Sequence, residues 1–284
     1  MSVLTATPLK AAPSGAVGVT LTFGGAWTAS TWVEVIAATA APIAIAGVQF
    51  GGGSYSNQMW ELDIGTGAGG AEVVLGTLRL FLFSTGSFVN PNGVFLPVPL
   101  GGIGAGVRVA VRQRTSGAQG PGRLTLNYYE NFSSDQVSTS SQVLSCAPSG
   151  STTANLTPSA TPWVNSAWLP LIASAPTDLG LLGLTHYTHS SLATADGVEY
   201  DIGTGGSGSE TVVTTVRQAF LQQAFVISWL PGMYPIVAGT RVSVRVRKAG
   251  TNTTAHPVAL LYYTNVSAAP AAVATGTPFV WGPL

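Results

Sequence analysis

The chain has 284 residues, 46% of them hydrophobic, which allows one or two domains with a sizeable core and excludes wholesale disorder. Only 8% of the residues are charged, against roughly 25% in ordinary soluble domains. The net charge is zero and the lysines are Lys10 and Lys248 alone, so no basic field draws the chain to nucleic acid or an anionic membrane.

From the start of the chain, MSVLTATPLKAAPSGAVG has no basic region followed by an apolar run, so no signal peptide is expected. No window reaches eighteen apolar residues without a break, and no transmembrane helix is expected. The 35 glycines and 18 prolines, with abundant Thr, Ser and Val, predict many short strands joined by turns. QMWELDIG alternates and reads as a strand, and TLRLFLF as another. FLPVPLGG, with its prolines, suits an edge or a turn. VRVAVRQR alternates strictly, and RLTLNYY comes after it across a Gly/Pro-rich loop, a pairing that predicts a hairpin. The stretch SSDQVSTSSQVLSCAPSGSTTANL is poor in large hydrophobes and reads as an extended linker. Beyond it, AFLQQAFVI is compatible with strand or helix, WLPGMYP echoes the proline-rich entry, and TRVSVRVRK and VALLYY repeat the hairpin pattern.

The second half rewrites the first. ELDIGTGAGGAEVV from Glu61 and EYDIGTGGSGSETV from Glu199 agree at nine of fourteen positions, an offset of 138. Arg79 matches Arg217 at the same offset, and Ile103–Arg114 matches Ile236–Arg247 at 133. Trp27 and Trp32 match Trp163 and Trp168 at 136. Blocks in one order with small changes of offset indicate an internal duplication. The expected fold is all-β: two tandem antiparallel β-sandwich domains of jelly-roll-like type. The expected divisions are an N-terminal arm at 1–19, domain 1 at 20–135, a Ser/Thr-rich linker at 136–155, domain 2 at 156–268 and an apolar C-terminal tail at 269–284.

The repeated phrase admits three chemistries. Gly65-x-Gly67-x-x-Gly70 fits the letter of a dinucleotide fingerprint, but the stretch after it, VVLGTLRL, is β-branched, and a phosphate loop needs Gly-Lys-Ser/Thr where Glu72 and Glu210 stand. A calcium loop would use Asp63 and Glu72; two carboxylates nine positions apart do not alone supply six to eight oxygens, and backbone carbonyls would have to complete the cage. The third reading is structural. Fourteen of the 22 charged residues are repeat-matched: Glu61, Asp63, Glu72, Arg79, Arg108, Arg112 and Arg114, with Glu199, Asp201, Glu210, Arg217, Arg241, Arg245 and Arg247. A duplicated, partly buried charge clamp ties charges to a repeat in this way, because the arginine fork grips carboxylates in a fixed geometry.

No catalytic constellation stands out, so the expectation is a non-enzyme without cofactor or metal. His186 and His189 lie close, but the first unit has no counterpart. Cys146, the single cysteine, forms no intrachain disulfide. The paired tryptophans raise a sugar-stacking alternative. Their spacing of five would turn them to opposite faces of a strand, which favours core and interface packing. Trp27, Trp32, Trp163, Trp168, Phe279 and Trp281 are therefore candidate interface residues, the last two in a tail, TPFVWGPL, that is apolar enough to dock on a partner.

The wording D-I-G-T-G-x-x-G-x-E (Asp201–Glu210, more loosely Asp63–Glu72), followed by A-G-[TV]-R (Ala238–Arg241, Ala105–Arg108), resembles a module of structural proteins in tailed-bacteriophage virions. The resemblance covers about a quarter of the residues of both units. It implies a non-enzymatic, oligomeric virion component that decorates a head or belongs to a tail, binding other virion proteins. It carries no catalytic residues. The alternative expectation is a lectin-like or receptor-binding module for host-surface glycan.

Overall fold

A computed structural model describes residues 9–14, 18–51, 58–82, 94–117, 122–131, 143–187, 197–219 and 225–266. The described chain is all-β, and its strands assemble two sandwiches with one wiring. In the first unit β1 (Lys10–Ala12), β2 (Val19–Leu21), β3 (Val33–Ile36), β4 (Ile43–Gly51) and β5 (Gln58–Thr66) are followed by β6 (Val73–Leu82), β7 (Val94–Ile103), β8 (Val109–Thr115) and β9 (Gly122–Glu130). In the second, β10 (Leu144–Ala147), β11 (Asn155–Leu156), β12 (Leu169–Ile172), β13 (Leu179–Tyr187) and β14 (Gly197–Thr204) are followed by β15 (Thr211–Ala219), β16 (Phe225–Ile236), β17 (Val242–Lys248) and β18 (His256–Thr264).

One sheet of the first unit runs β1-β9-β4-β7 with β2 also on β9, and the other runs β3-β8-β5-β6. Strands from the two ends of the unit thus pair across it, as in a long hairpin rolled on itself, which is the jelly roll. The second unit repeats the order as β10-β18-β13-β16 and β12-β17-β14-β15. Registers repeat with it: Glu61↔Arg79 and Asp63↔Arg112 in one, Glu199↔Arg217 and Asp201↔Arg245 in the other, with bulges at Ile64/Gly65 and Ile202/Gly203.

Three expectations are corrected by this wiring. β8 and β9 are not a hairpin, nor are β17 and β18; β8 pairs with β5 and β3, while β9 pairs with β4, β1 and β2 in the opposite sheet. Both edges of β8 are already taken, so the chain crosses to the other layer. The segment 136–155 is not simply a linker, because it carries β10 and the start of β11, and the arm 1–19 carries β1 and the start of β2. These strands are two to four residues long and show no periodicity of their own; the neighbours β9 and β18 hold them in place. The proline-rich β7 and β16 do lie at sheet edges, where a missing N–H costs nothing. Of AFLQQAFVI, the ends belong to β15 and β16, and 220–224 lie outside the described residues, as does the tail at 269–284.

Each sandwich closes over its own aliphatic layer. Val48, Trp60, Leu62, Ile64, Leu78, Leu80, Leu100, Val109 and Val111 fill the first, and Leu184, Val198, Tyr200, Ile202, Val242, Val244 and Leu260 fill the second. The units are joined edge to edge. β10 sits parallel to β6 with Leu144 beside Gly76, so that one nine-stranded sheet crosses both. Leu182, Leu261 and Tyr263 of the second unit join the first unit's cluster.

Candidate functional site

The repeated phrase occupies one place in the roll. Among the described residues, β5–β6 and β14–β15 are the only sequential strands within a unit that pair with each other, and the glycine loop is the turn between them. Gly67 and Gly205 share φ 123°, and Gly70 and Gly208 have φ 86° and 81°, backbone that an L side chain strains to adopt. Glu72 folds back to accept the Gly70 amide at 3.0 Å and the Arg108 Nη1 at 2.7 Å. Arg108 also donates to the Gly67 carbonyl and to Glu34, tying the turn to the neighbouring strand ends. In the second unit Arg241 pairs with Glu210. Each loop leads into a strand, not a helix, and the carboxylate of each loop points at an arginine.

Glu61 and Asp63 alternate with Trp60, Leu62 and Ile64, so the acids lie on the sheet face opposite the core. Cross-strand register then puts arginines on them. Asp63 accepts from Arg112 Nε at 2.8 Å, from Arg114 Nη2 at 2.8 Å to both oxygens, and from Thr77 Oγ1 at 2.7 Å. Glu61 accepts from Arg79 Nη1 at 3.1 Å and from the Gly150 amide at 2.7 Å. In the second unit Asp201 takes Arg245 at 2.9 Å and Thr215 at 2.6 Å, and Glu199 takes Arg217 and Arg247. Arg247 leans to Glu199 and stands 4.0 Å from Asp201, so the second ladder is looser at the aspartate. Burial alone would raise the Glu199 carboxyl, but the hydrogen bonds from Arg247 and Arg217 outweigh it and hold the group below the usual range. The Arg108 hydrogen bond does the same for Glu72.

The expected clamp residues therefore form two groups in each unit: a ladder on the sheet face and a separate clasp at the turn. Each of the fourteen repeat-matched charges is ion-paired with another of the fourteen. Thr77 and Thr215, which are also repeat-matched, complete the aspartate shells and were legible from the same offset of 138. Glu34 has Pro170 as its counterpart, so the repeat carried no signal for it.

The tryptophans do not alternate across a strand, because the segments that carry them are not strands. Trp27 is a turn residue with φ 57°, and Trp163 matches it at 60°. Trp27 lies over Arg79 at 5.2 Å and Trp32 over Arg112 at 4.6 Å; Trp168 lies over Arg245 at 4.5 Å. The Trp32 and Trp168 rings also cover Gly65 and Gly203, where a Cβ would stand 2.7 and 2.6 Å from a ring carbon. Trp163 is the exception, 50% exposed. Phe279 and Trp281 lie outside the described residues.

His186 is a core residue. It stacks on Tyr200 at 4.5 Å and meets Ser228 at 3.3 Å, while Tyr200 meets His256 at 3.1 Å. His189 lies outside the described residues, and among those described no group of three or more metal-ligating side chains converges. Burial pushes the Cys146 thiol well above its ordinary pKa. Comparison with protein-family models and with curated proteins finds no match to this chain.

Proposed function

We propose that the chain is a non-enzymatic structural component of a tailed-bacteriophage virion, acting through protein–protein assembly of two duplicated jelly-roll units. The observation that carries this reading is where the charge is used. Fourteen of 22 charged residues, eight arginines and six carboxylates, are ion-paired with one another within the units. Few charges remain for the rest of the chain, and the described strands end in unpaired sheet edges, which suits a chain that covers its surface with protein. The resemblance of Asp201–Glu210 and Ala238–Arg241 to a virion module supplies the particle, on the head or the tail.

The lectin-like alternative draws on Trp163, since Trp32 and Trp168 are engaged by arginines. An antibody raised against the purified chain, applied to tailed particles of the host culture, tests both readings. Labelling of heads or tails, with the chain recovered from purified particles in stoichiometric amount, is expected. Absence from particles, together with saturable glycan binding lost in Trp163→Ala, would replace the assembly reading with the lectin-like one.

A further inference from the structure

The joint between the two units has two halves, and each half recurs at a sheet edge that carries no further strand among the described residues. Within the chain, Leu144 of β10 sits beside Gly76 of β6. Arg79 on β6 donates to the Pro148 and Thr152 carbonyls just past β10, at 2.6 and 2.7 Å, and the Gly150 amide donates to Glu61. The first unit's counterpart of β10 is β1. Its register on β9 (Ala12↔Leu126) repeats that of β10 on β18 (Ala147↔Leu260), and both strands run into Ala-Pro-Ser-Gly, at Ala12 and at Ala147. The second unit's counterpart of β6 is β15, through Glu199↔Arg217. Both stand at sheet edges: β1 is bonded to β9, β15 to β14, and neither has a strand on its other side among the described residues.

Exposure tracks the joint. Leu144 and Arg79 are fully buried, whereas their counterparts Leu9 and Arg217 are open, 45% for the leucine and 77% for the arginine side chain. Trp27 is half-buried over Arg79, and its counterpart Trp163 is exposed. The open residues at the two ends are thus the counterparts of those that the internal joint covers.

We propose that these ends join between molecules: β15 of one copy lies parallel to β1 of the next, Thr214 beside Leu9, with the Arg217 guanidinium reaching the Pro13 carbonyl as Arg79 reaches that of Pro148. The partner is a second copy of this chain, bound head to tail. A contact of this kind repeats until a ring closes or a filament grows. It rests on the assembly reading in taking protein as the partner, and narrows that partner to the chain itself. The joint between copies is weaker than the one within. Thr214 stands where Gly76 lets Leu144 approach to 3.0 Å of a Cβ position, and no covalent tether holds the two halves at high local concentration.

Two variants, each adding one cysteine to a chain whose own Cys146 is buried, test the register. Leu9→Cys and Thr214→Cys, each checked for a wild-type circular dichroism spectrum and urea midpoint, are mixed and oxidised. A disulfide-linked dimer of one variant with the other, absent when either is oxidised alone, is expected. Arg217→Ala provides an independent arm at an open position. It should weaken self-association in native mass spectrometry by roughly tenfold. A chain that stays monomeric up to its solubility limit overturns the joint, as does one that self-associates without the mixed dimer. Particle labelling without the mixed dimer would remove this joint and leave the assembly reading standing. The mixed dimer from a chain missing from particles would keep the joint and remove the virion reading.

Discussion

Arg79 and Glu61 face each other across β5 and β6, Nη1 to Oε1 3.1 Å, with neither side chain reached by solvent. Burial presses the Arg79 pKa down and the Glu61 charge resists it, and the buried guanidinium donates to that carboxylate and to two carbonyls. Its counterpart Arg217 holds the equivalent glutamate from an open edge.

This contrast sets the first expectation. Arg79→Ala leaves Glu61 buried with part of its shell gone, and should cost about 3–5 kcal/mol. Arg217→Ala, measured by urea unfolding of the dilute chain, should cost less, about 1–2 kcal/mol, because Arg247 still holds the buried Glu199. Equal losses at the two sites would contradict the sealed joint.

Gly65→Ala puts a methyl 2.7 Å from the Trp32 ring and 3.0 Å from the Val73 carbonyl. Overpacking of this kind costs about 1–3 kcal/mol. Trp32→Ala removes the closer obstacle, so the double variant should lose less than the sum of the two single losses. Strict additivity in this cycle would mean that the ring does not set the glycine.

Much of the fold was readable in the sequence. The repeat-matched charges and glycines marked both tight turns and the charge clamp beside them, because a buried ion pair fixes residue types on two strands at once. Strict alternation located β8 and β17. The short strands β1, β2, β10 and β11 were not readable, since their sequence carries no period and their partners β9 and β18 lie about a hundred residues or more away. The layer crossing after β8 was hidden for a related reason. A Gly/Pro-rich loop looks alike whether it returns a strand to its own sheet or passes it to the other.

Acid should loosen the turn clasp. The Glu72 carboxyl lies below its ordinary value of 4.5 because Arg108 hydrogen-bonds the charged form. A carboxyl lowered by folding contributes its full stabilisation above the unfolded pKa and loses it as the pH falls through the folded one. The other titratable groups are common to both proteins, so the informative quantity is the difference between wild type and Glu72→Gln. That difference in thermal midpoint should be constant from pH 8 to about 4.5 and shrink below it. A difference that shrank between pH 7 and 5 would contradict the assignment.

Cys146 reports on the joint. Its thiol is buried on β10 and its pKa is pushed up by desolvation, so little thiolate exists and little reagent reaches it. Labelling by a thiol reagent at pH 8 should be slow in the folded chain, and faster in Leu144→Ala, which leaves a cavity between β10 and β6. Rapid labelling of the wild type would mean that the joint is open.

The central claim is that the twice-written phrase is a turn and charge clamp, serving the fold and not a bound ion or nucleotide. The most direct measurement is the urea midpoint of wild type and Asp63→Asn, with and without millimolar calcium or magnesium nucleotide. Ligands that bind the folded state raise its stability by mass action. The clamp requires a midpoint indifferent to both additives and a loss of about 2–4 kcal/mol in Asp63→Asn, whose arginines would lose their shared carboxylate. A wild-type midpoint raised by calcium or nucleotide, with Asp63→Asn abolishing the rise while leaving the unliganded stability unchanged, would contradict it.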